Sequence, residues 1–257
     1  MGNSSKRVWL IGGTQESALL AQAIAQSQIP CIISVTTESA KCLYPESEYL
    51  TLWVGKLEKH QIHQFITNYN INRILDASHP YAVEISQLAI AISQTNNIPY
   101  LRYERPAINS QPSNQIQYLD SLETLLKGND LQGKRVLLTL GYRPLSAFAQ
   151  WQDQAILFAR ILPSAIALNA ALKAGFTPDR IIALRPPLSL ELEQALWQHW
   201  QISLVVTKAS GTAGGEDLKI NLAQQLNIPL IIITRPVIDY PQVTQSLNDG
   251  MEFVKRE

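Results

Sequence analysis

The chain has 257 residues, of which 46% are hydrophobic and 16% charged. That is enough apolar material for one large core or two small ones, and too little charge for a disordered chain. Lys and Arg (21) balance Asp and Glu (21), which argues against a nucleic-acid partner, because such proteins meet phosphates with an excess of cations.

Cys31 and Cys42 show no CxxC spacing, so a zinc ribbon or redox dithiol is not indicated and a disulfide framework is not expected. The first apolar run, Val8 to Ile11, is too short for a signal-peptide core or a membrane span. A cytoplasmic chain without a membrane partner is the expectation, as a monomer or small homo-oligomer.

In chain order, strands are predicted at Arg7–Ile11, Cys31–Val35, Tyr49–Val54, Arg73–Asp76 and Pro99–Arg102. Further strands follow at Arg135–Thr139, Ile156–Ala159, Arg180–Ala183, Leu204–Lys208 and Leu230–Ile233. Amphipathic helices are predicted at Glu16–Gln26, Leu57–Tyr69, Ala82–Thr95, Ser164–Ala174, Leu190–Trp200 and Glu216–Leu226. Strands rich in Ile, Val and Leu that alternate with helices specify an α/β fold with parallel sheets covered on both faces.

The polar stretch 107–114, with Pro112, is the best linker. The expected organisation is a nucleotide-binding domain over 1–110, a second domain over 111–240, and a segment 241–257 returning to the first. An internal echo supports two similar halves: NIPYLRYERP begins at Asn97 and NIPLIIITRP at Asn227, 130 residues on.

Ligands of open parallel sheets bind at the carboxyl ends of the strands. After the first strand, Gly12 and Gly13 allow a tight turn, and Thr14 and Ser17 with helix-start N–H groups suit an anion. A capped strand-to-helix turn explains the same residues. After the second strand, Thr36, Thr37, Ser39 and Lys41 favour the extra phosphate of NADPH, whereas Glu38 favours NADH. After the fourth strand comes Asp76-Ala-Ser-His-Pro-Tyr-Ala, in which His79 can exchange a proton near neutral pH and Tyr81 can hydrogen-bond or stack. After the penultimate strand, Lys208, Ser210, Gly211, Thr212, Gly214 and Gly215 lead into a helix and suit phosphate or carboxylate.

Arg102, Arg105, Arg143, Arg160, Arg185 and Arg235 lie near strand ends, and several converging would suit a polycarboxylate. His60 and His63 lack the further ligands zinc needs, so no metal site is expected. Walker, GxSxG and YxxxK motifs are absent.

Together GGTQES, DASHPYA, NIPYLRYERP and TKASGTAGGEDLKINLAQQLNIPLIIITRP resemble the precorrin-6A and cobalt-precorrin-6A reductase family, from about Val8 to Pro236. The resemblance implies two Rossmann-like domains with a cleft between them. It implies reduction of a ring double bond of an oxidised tetrapyrrole by NADPH or, in the cobalt branch, by NADH. It carries over Gly12, Gly13, Thr14 and Glu16 as the nucleotide turn and His79 to Ala82 as a second signature loop. Lys208, Ser210, Gly211, Gly215 and Lys219 carry over as the C-terminal loop and helix.

On this reading the substrate's acidic arms meet Lys208 and Arg235, and His79 or Tyr81 supplies a proton. Thr139-Leu140-Gly141 and Arg185–Ser189 depart from the family's usual pattern. The competing function class is a non-catalytic nucleotide- or tetrapyrrole-binding sensor on the same fold.

Overall fold

The computed structural model describes residues 6–108 and 114–256. The chain forms two units, Met1–Pro106 with Val237–Glu257, and Ala107–Pro236. These divisions fall four residues before each of the expected breaks at 110 and 240. Most of the expected linker, including Pro112, lies outside the described residues.

The first unit contains β1 (Arg7–Ile11), α1 (Gln15–Gln26), β2 (Cys31–Val35), β3 (Leu50–Val54) and α2 (Ile62–Asn68). It continues through β4 (Ile71–Asp76), α3 (Val83–Thr95) and β5 (Tyr100–Tyr103). The second unit contains β6 (Ile116–Leu119), α4 (Leu122–Lys127), β7 (Arg135–Leu138), β8 (Ile156–Ile161), α5 (Ala165–Lys173) and β9 (Ile181–Ala183). Then come α6 (Leu190–His199), β10 (Leu204–Lys208), α7 (Glu216–Leu226) and β11 (Leu230–Ile233), before β12 (Val243–Thr244) and α8 (Leu247–Lys255) complete the first unit.

Both sheets are parallel, in the orders β12-β5-β4-β1-β2-β3 and β6-β11-β10-β7-β8-β9. Parallel strands covered on both faces carry near-continuous apolar runs, and β2, β11 and all but the first residue of β1 are buried throughout. α1 buries Ser17, Leu20, Ala21 and Ile24, the 3.6-residue stripe that turns one helix face to the sheet. Gly250 lets α8 approach α1 closely, since a Cβ there would meet Leu20 Cδ2 at 3.1 Å.

In each sheet one edge strand pairs with the last strand the chain makes before it changes unit. The segment after β5 runs into β6, which pairs with β11, and the segment after β11 runs into β12, which pairs with β5. The echo at Asn97 and Asn227 marks equivalent places: both asparagines sit at φ 53°, at the ends of α3 and α7, and precede β5 and β11, the strands that these edge strands join.

Two expectations change. The helix predicted over Leu57–Tyr69 begins only at Ile62, because Glu58 to Gln61 form a turn in which Gln61 N–H donates to Glu58 O at 2.9 Å. The strands β6 and β12 and the helices α4 and α8 were not expected. Among the described residues no helix is long and apolar enough to cross a membrane, and no three His, Cys, Asp or Glu gather as a metal site.

Candidate active site

In the first sheet the chain passes from β1 to β2 on one side and later to β4 on the other. The gap beyond the carboxyl ends of β1 and β4 is therefore a topological switch point, where doubly wound sheets bind ligands. The turn Gly12–Thr14 fills one side of it. Thr14 caps α1, with Ser17 N–H donating to its Oγ1 at 3.1 Å and its own N–H donating to Ser17 Oγ at 3.0 Å. The Thr14 hydroxyl donates to Ala77 O at 2.8 Å, which ties the β1 turn to the β4 turn.

Gly12 N–H donates to Ser34 O at 2.9 Å, and Gly13 N–H to the Tyr44 hydroxyl at 2.7 Å. The amides of Gly12, Gly13 and Thr14 are thus committed within the protein, and those of Gln15 and Glu16 remain to meet an anion at the start of α1. Gly13 adopts φ 100° with nothing within 4 Å of where a Cβ would stand, whereas a Cβ on Gly12 would lie 2.2 Å from Tyr44 Oη. Close approach of a ligand to the backbone is possible at Gly13. Glu16 pairs with Arg105 at 2.7 Å, and the two line a concavity with Ala77, Ser78, Pro80, Arg102 and Tyr103.

Thr36, Thr37 and Lys41 are exposed beyond the end of β2. Thr37 Oγ1 lies 3.2 Å from Ser39 Oγ, and Lys41 pairs with Glu38 at 2.8 Å across a short 3-10 turn. Tyr44 ends this segment and brings it back to the Gly13 amide.

The β4 turn is built on Asp76, whose side chain is fully buried. One carboxylate oxygen accepts from Ser78 N–H (3.0 Å) and Arg102 Nη1 (2.9 Å), and the other from Ser86 Oγ (2.6 Å) and the Tyr100 hydroxyl (2.7 Å). Burial and the Asp76 charge push the Tyr100 hydroxyl far above its ordinary pKa, so it stays a donor. His79 is exposed, and its Nδ1 accepts from Tyr81 N–H at 3.3 Å, which places the neutral ring's proton on Nε2. The two rings lie 5.7 Å apart, tilted by 43°.

In the second unit, Lys208 ends β10, with its ammonium pKa lowered by burial and by Arg143. Ser210 N–H donates to Lys208 O at 2.7 Å, Gly211 N–H donates to Glu216 Oε2 at 2.7 Å, and Arg235 Nε donates to Ala209 O at 2.9 Å. Gly211 and Gly215 occupy φ 70° and 68°. Lys219 was expected to face substrate, but it is 2% exposed, and its Nζ donates to Gly214 O (3.0 Å) and Gly215 O (2.8 Å). The position one turn into α7 folds the side chain back over the helix start, so this cation staples the glycine loop. Burial and Arg160 lower its pKa to about 8.

The structure gathers Gly12, Gly13, Thr14 and Glu16 with the His79 turn, and Lys208, Ser210, Gly211, Gly215 and Lys219 with Arg235. Sequence reasoning missed Tyr44, Tyr240 and Glu216. It assigned no site role to Asp76, although an Asp two residues before Ser78 at a strand end is an Asx-turn signal.

These features define a doubly wound α/β protein whose glycine-rich and His-Pro-Tyr loops lie at the carboxyl ends of parallel strands. A solved structure of a CobK precorrin-6A reductase shares the fold, with a TM-score of 0.79 at 22% identity over 97% of this chain and 96% of its own. The family model for precorrin-6x reductase CbiJ/CobK matches residues 7–255. A cobalt-precorrin-6A reductase of Synechocystis sp. is 47% identical over 100% of this chain and 98% of its own. A precorrin-6A reductase of Rhodococcus erythropolis is 27% identical over 95% of this chain and 94% of its own. The chain belongs to the precorrin-6x reductase family, and as such is an oxidoreductase of corrin-ring biosynthesis.

Proposed function

We propose that the chain reduces one ring double bond of cobalt-precorrin-6A to the 6B form, using NADPH as the preferred reductant. The cobalt form is favoured because the Synechocystis relative, similar along the whole chain, carries that name. The observation that carries the site assignment is the Thr14–Ala77 hydrogen bond, which joins the helix-start turn to the His79 turn at the switch point of the first sheet.

The residues fit a dinucleotide. Gly13 leaves its outer side open, and Gln15 and Glu16 N–H groups point from the start of α1. Thr36, Thr37 and Lys41 follow β2, the strand whose end meets the adenosine ribose in dinucleotide-binding folds, and would take the 2′-phosphate of NADPH. When bound, the reduced nicotinamide supplies the hydride, and the tetrapyrrole accepts it together with a proton. His79 holds that proton at Nε2, or Tyr81 holds it at its hydroxyl. Lys208 and Arg235 take the substrate's carboxylates, where charge-assisted hydrogen bonds orient the ring. Most of the rate comes from holding two flat partners in contact, since no protein nucleophile is needed.

The test is anaerobic mixing of the protein with cobalt-precorrin-6A and NADPH, then NADH, following nicotinamide absorbance and the pigment spectrum together. Coupled loss of both signals, faster with NADPH, is expected. Tight binding of both ligands without nicotinamide oxidation would support the sensor reading instead.

A further inference from the structure

Arg102 is 1% exposed, yet it contacts the His79 turn and the returning segment of the chain. Its Nη1 donates to Asp76 Oδ1 at 2.9 Å and to Ser78 Oγ at 3.0 Å, and its Nε donates to Glu104 Oε2 at 2.7 Å. Its backbone N–H donates to Gln242 O at 2.9 Å, and its guanidinium lies 5.2 Å from the centre of the Tyr240 ring. Gln242 and Tyr240 belong to the segment that re-enters the first unit after β11.

A buried ion pair is an expensive way to gain stability, because desolvation consumes much of the attraction between the charges. What such a pair supplies well is geometry: a planar guanidinium forks to two acceptors at fixed angles. Here one guanidinium nitrogen, Nη1, holds both the end of β4 and the side chain immediately before His79, while Nε of the same plane is fixed on Glu104. Asp76 completes the hold from the other side, accepting the Ser78 N–H in the same turn.

We infer that Arg102 and Asp76 are positioning residues for the reduction. Through Ser78 they fix the turn that presents His79, and through Gln242 and Tyr240 they set that turn against the returning segment. This rests on the reading above, with His79 and not Tyr81 as the group that delivers the proton. The energy lies in orientation: a turn left free to wander presents the imidazole in the wrong place for most of its time.

The experiment compares wild type, Ser78→Ala, His79→Ala and the double variant, with Arg102→Lys as a companion that keeps the charge and loses the planar guanidinium anchored on Glu104. Thermal melting establishes that each is folded. Ser78→Ala removes one hydroxyl and is expected to lower kcat roughly tenfold with the KM for nucleotide unchanged. In the His79→Ala background the same change is expected to cost less than about twofold, because the residue it positions is gone.

A merely structural role would cost the same in both backgrounds, and that additivity, or a wild-type kcat in Ser78→Ala, would overturn the inference. If His79→Ala loses activity while Ser78→Ala does not, the inference fails and the proton role stands. If His79→Ala is silent, both fail. Histidine ring signals in NMR give a readout that needs no turnover, and the chain has only 4 histidines. The His79 ring is expected to hold a distinct shift in wild type and to move to the position of a mobile histidine in Ser78→Ala and Arg102→Lys. Identical His79 spectra in all three proteins would overturn the inference.

Discussion

The Tyr44 hydroxyl stands 2.7 Å from the Gly13 amide and 2.7 Å from the Ser17 hydroxyl, so one buried phenol holds the β1 turn from outside. Burial raises its pKa, which keeps it protonated and able to donate to Ser17 while accepting from Gly13. The turn owes its shape to a side chain that arrives from beyond β2.

Gly12→Ala puts a Cβ 2.2 Å from Tyr44 Oη and 3.1 Å from its Cζ. Overpacking of this kind costs about 1–3 kcal/mol, read as a lower midpoint in urea or thermal unfolding. In a Tyr44→Phe background the penalty should shrink without vanishing, since the ring carbon remains close. Equal penalties in both backgrounds would show that Tyr44 is not what excludes the methyl group.

Lys219 makes a pH prediction. Its pKa is lowered in the folded protein, to about 8, from the ordinary 10.5. Below about pH 8 the ammonium is charged in both states and its burial costs stability. Between that pH and the unfolded value the folded state releases its proton first, so the contribution of this group to stability rises with pH. The neutral amine still has two N–H bonds for the carbonyls of Gly214 and Gly215. Urea unfolding at about pH 7 and about pH 10 should show this rise in wild type relative to Lys219→Met. Parallel pH dependence in the two proteins would contradict it.

Arg102→Met leaves the Asp76 carboxylate fully buried without its cation. Removing one partner of a buried pair costs about 3–5 kcal/mol, a loss that should be plain in chemical denaturation. A variant as stable as wild type would mean that Ser78, Ser86 and Tyr100 suffice to solvate the carboxylate.

Lys41 is exposed and paired only with an exposed Glu38, so its loss should leave stability near wild type. If it meets the 2′-phosphate of NADPH, Lys41→Ala raises the KM for NADPH roughly tenfold, the loss of one charge-assisted contact, and leaves the KM for NADH alone. Steady-state kinetics with both nucleotides measure the ratio, and an unchanged ratio would place the phosphate elsewhere.

Much of this was legible in the sequence because parallel strands announce themselves. β1, β2, β10 and β11 span the ranges predicted for them, each built around a short apolar run. β12 was not legible, because two residues carry no period; Val243 and Thr244 are strand only by pairing with Arg102 and Tyr103. β6 was missed because it follows a polar stretch and buries only Ile116 fully. At the site, the strand-end loops could be named from chain order alone. Which amides a ligand could use could not, because Tyr44 lies 31 residues from Gly13. Lys219 shows a similar limit: a lysine near a glycine loop reads as a cation for an anion, and only burial reveals that it serves two carbonyls.

The late return of β12 and α8 to the first unit also orders events during synthesis. The second unit is one continuous stretch, Ala107–Pro236, and brings its own β6. The first unit begins earlier but lacks β12 and α8 until the whole second unit has been made. On the ribosome, the part that starts first therefore finishes last, and until then the edge of β5 and the α1 surface that α8 covers stand open.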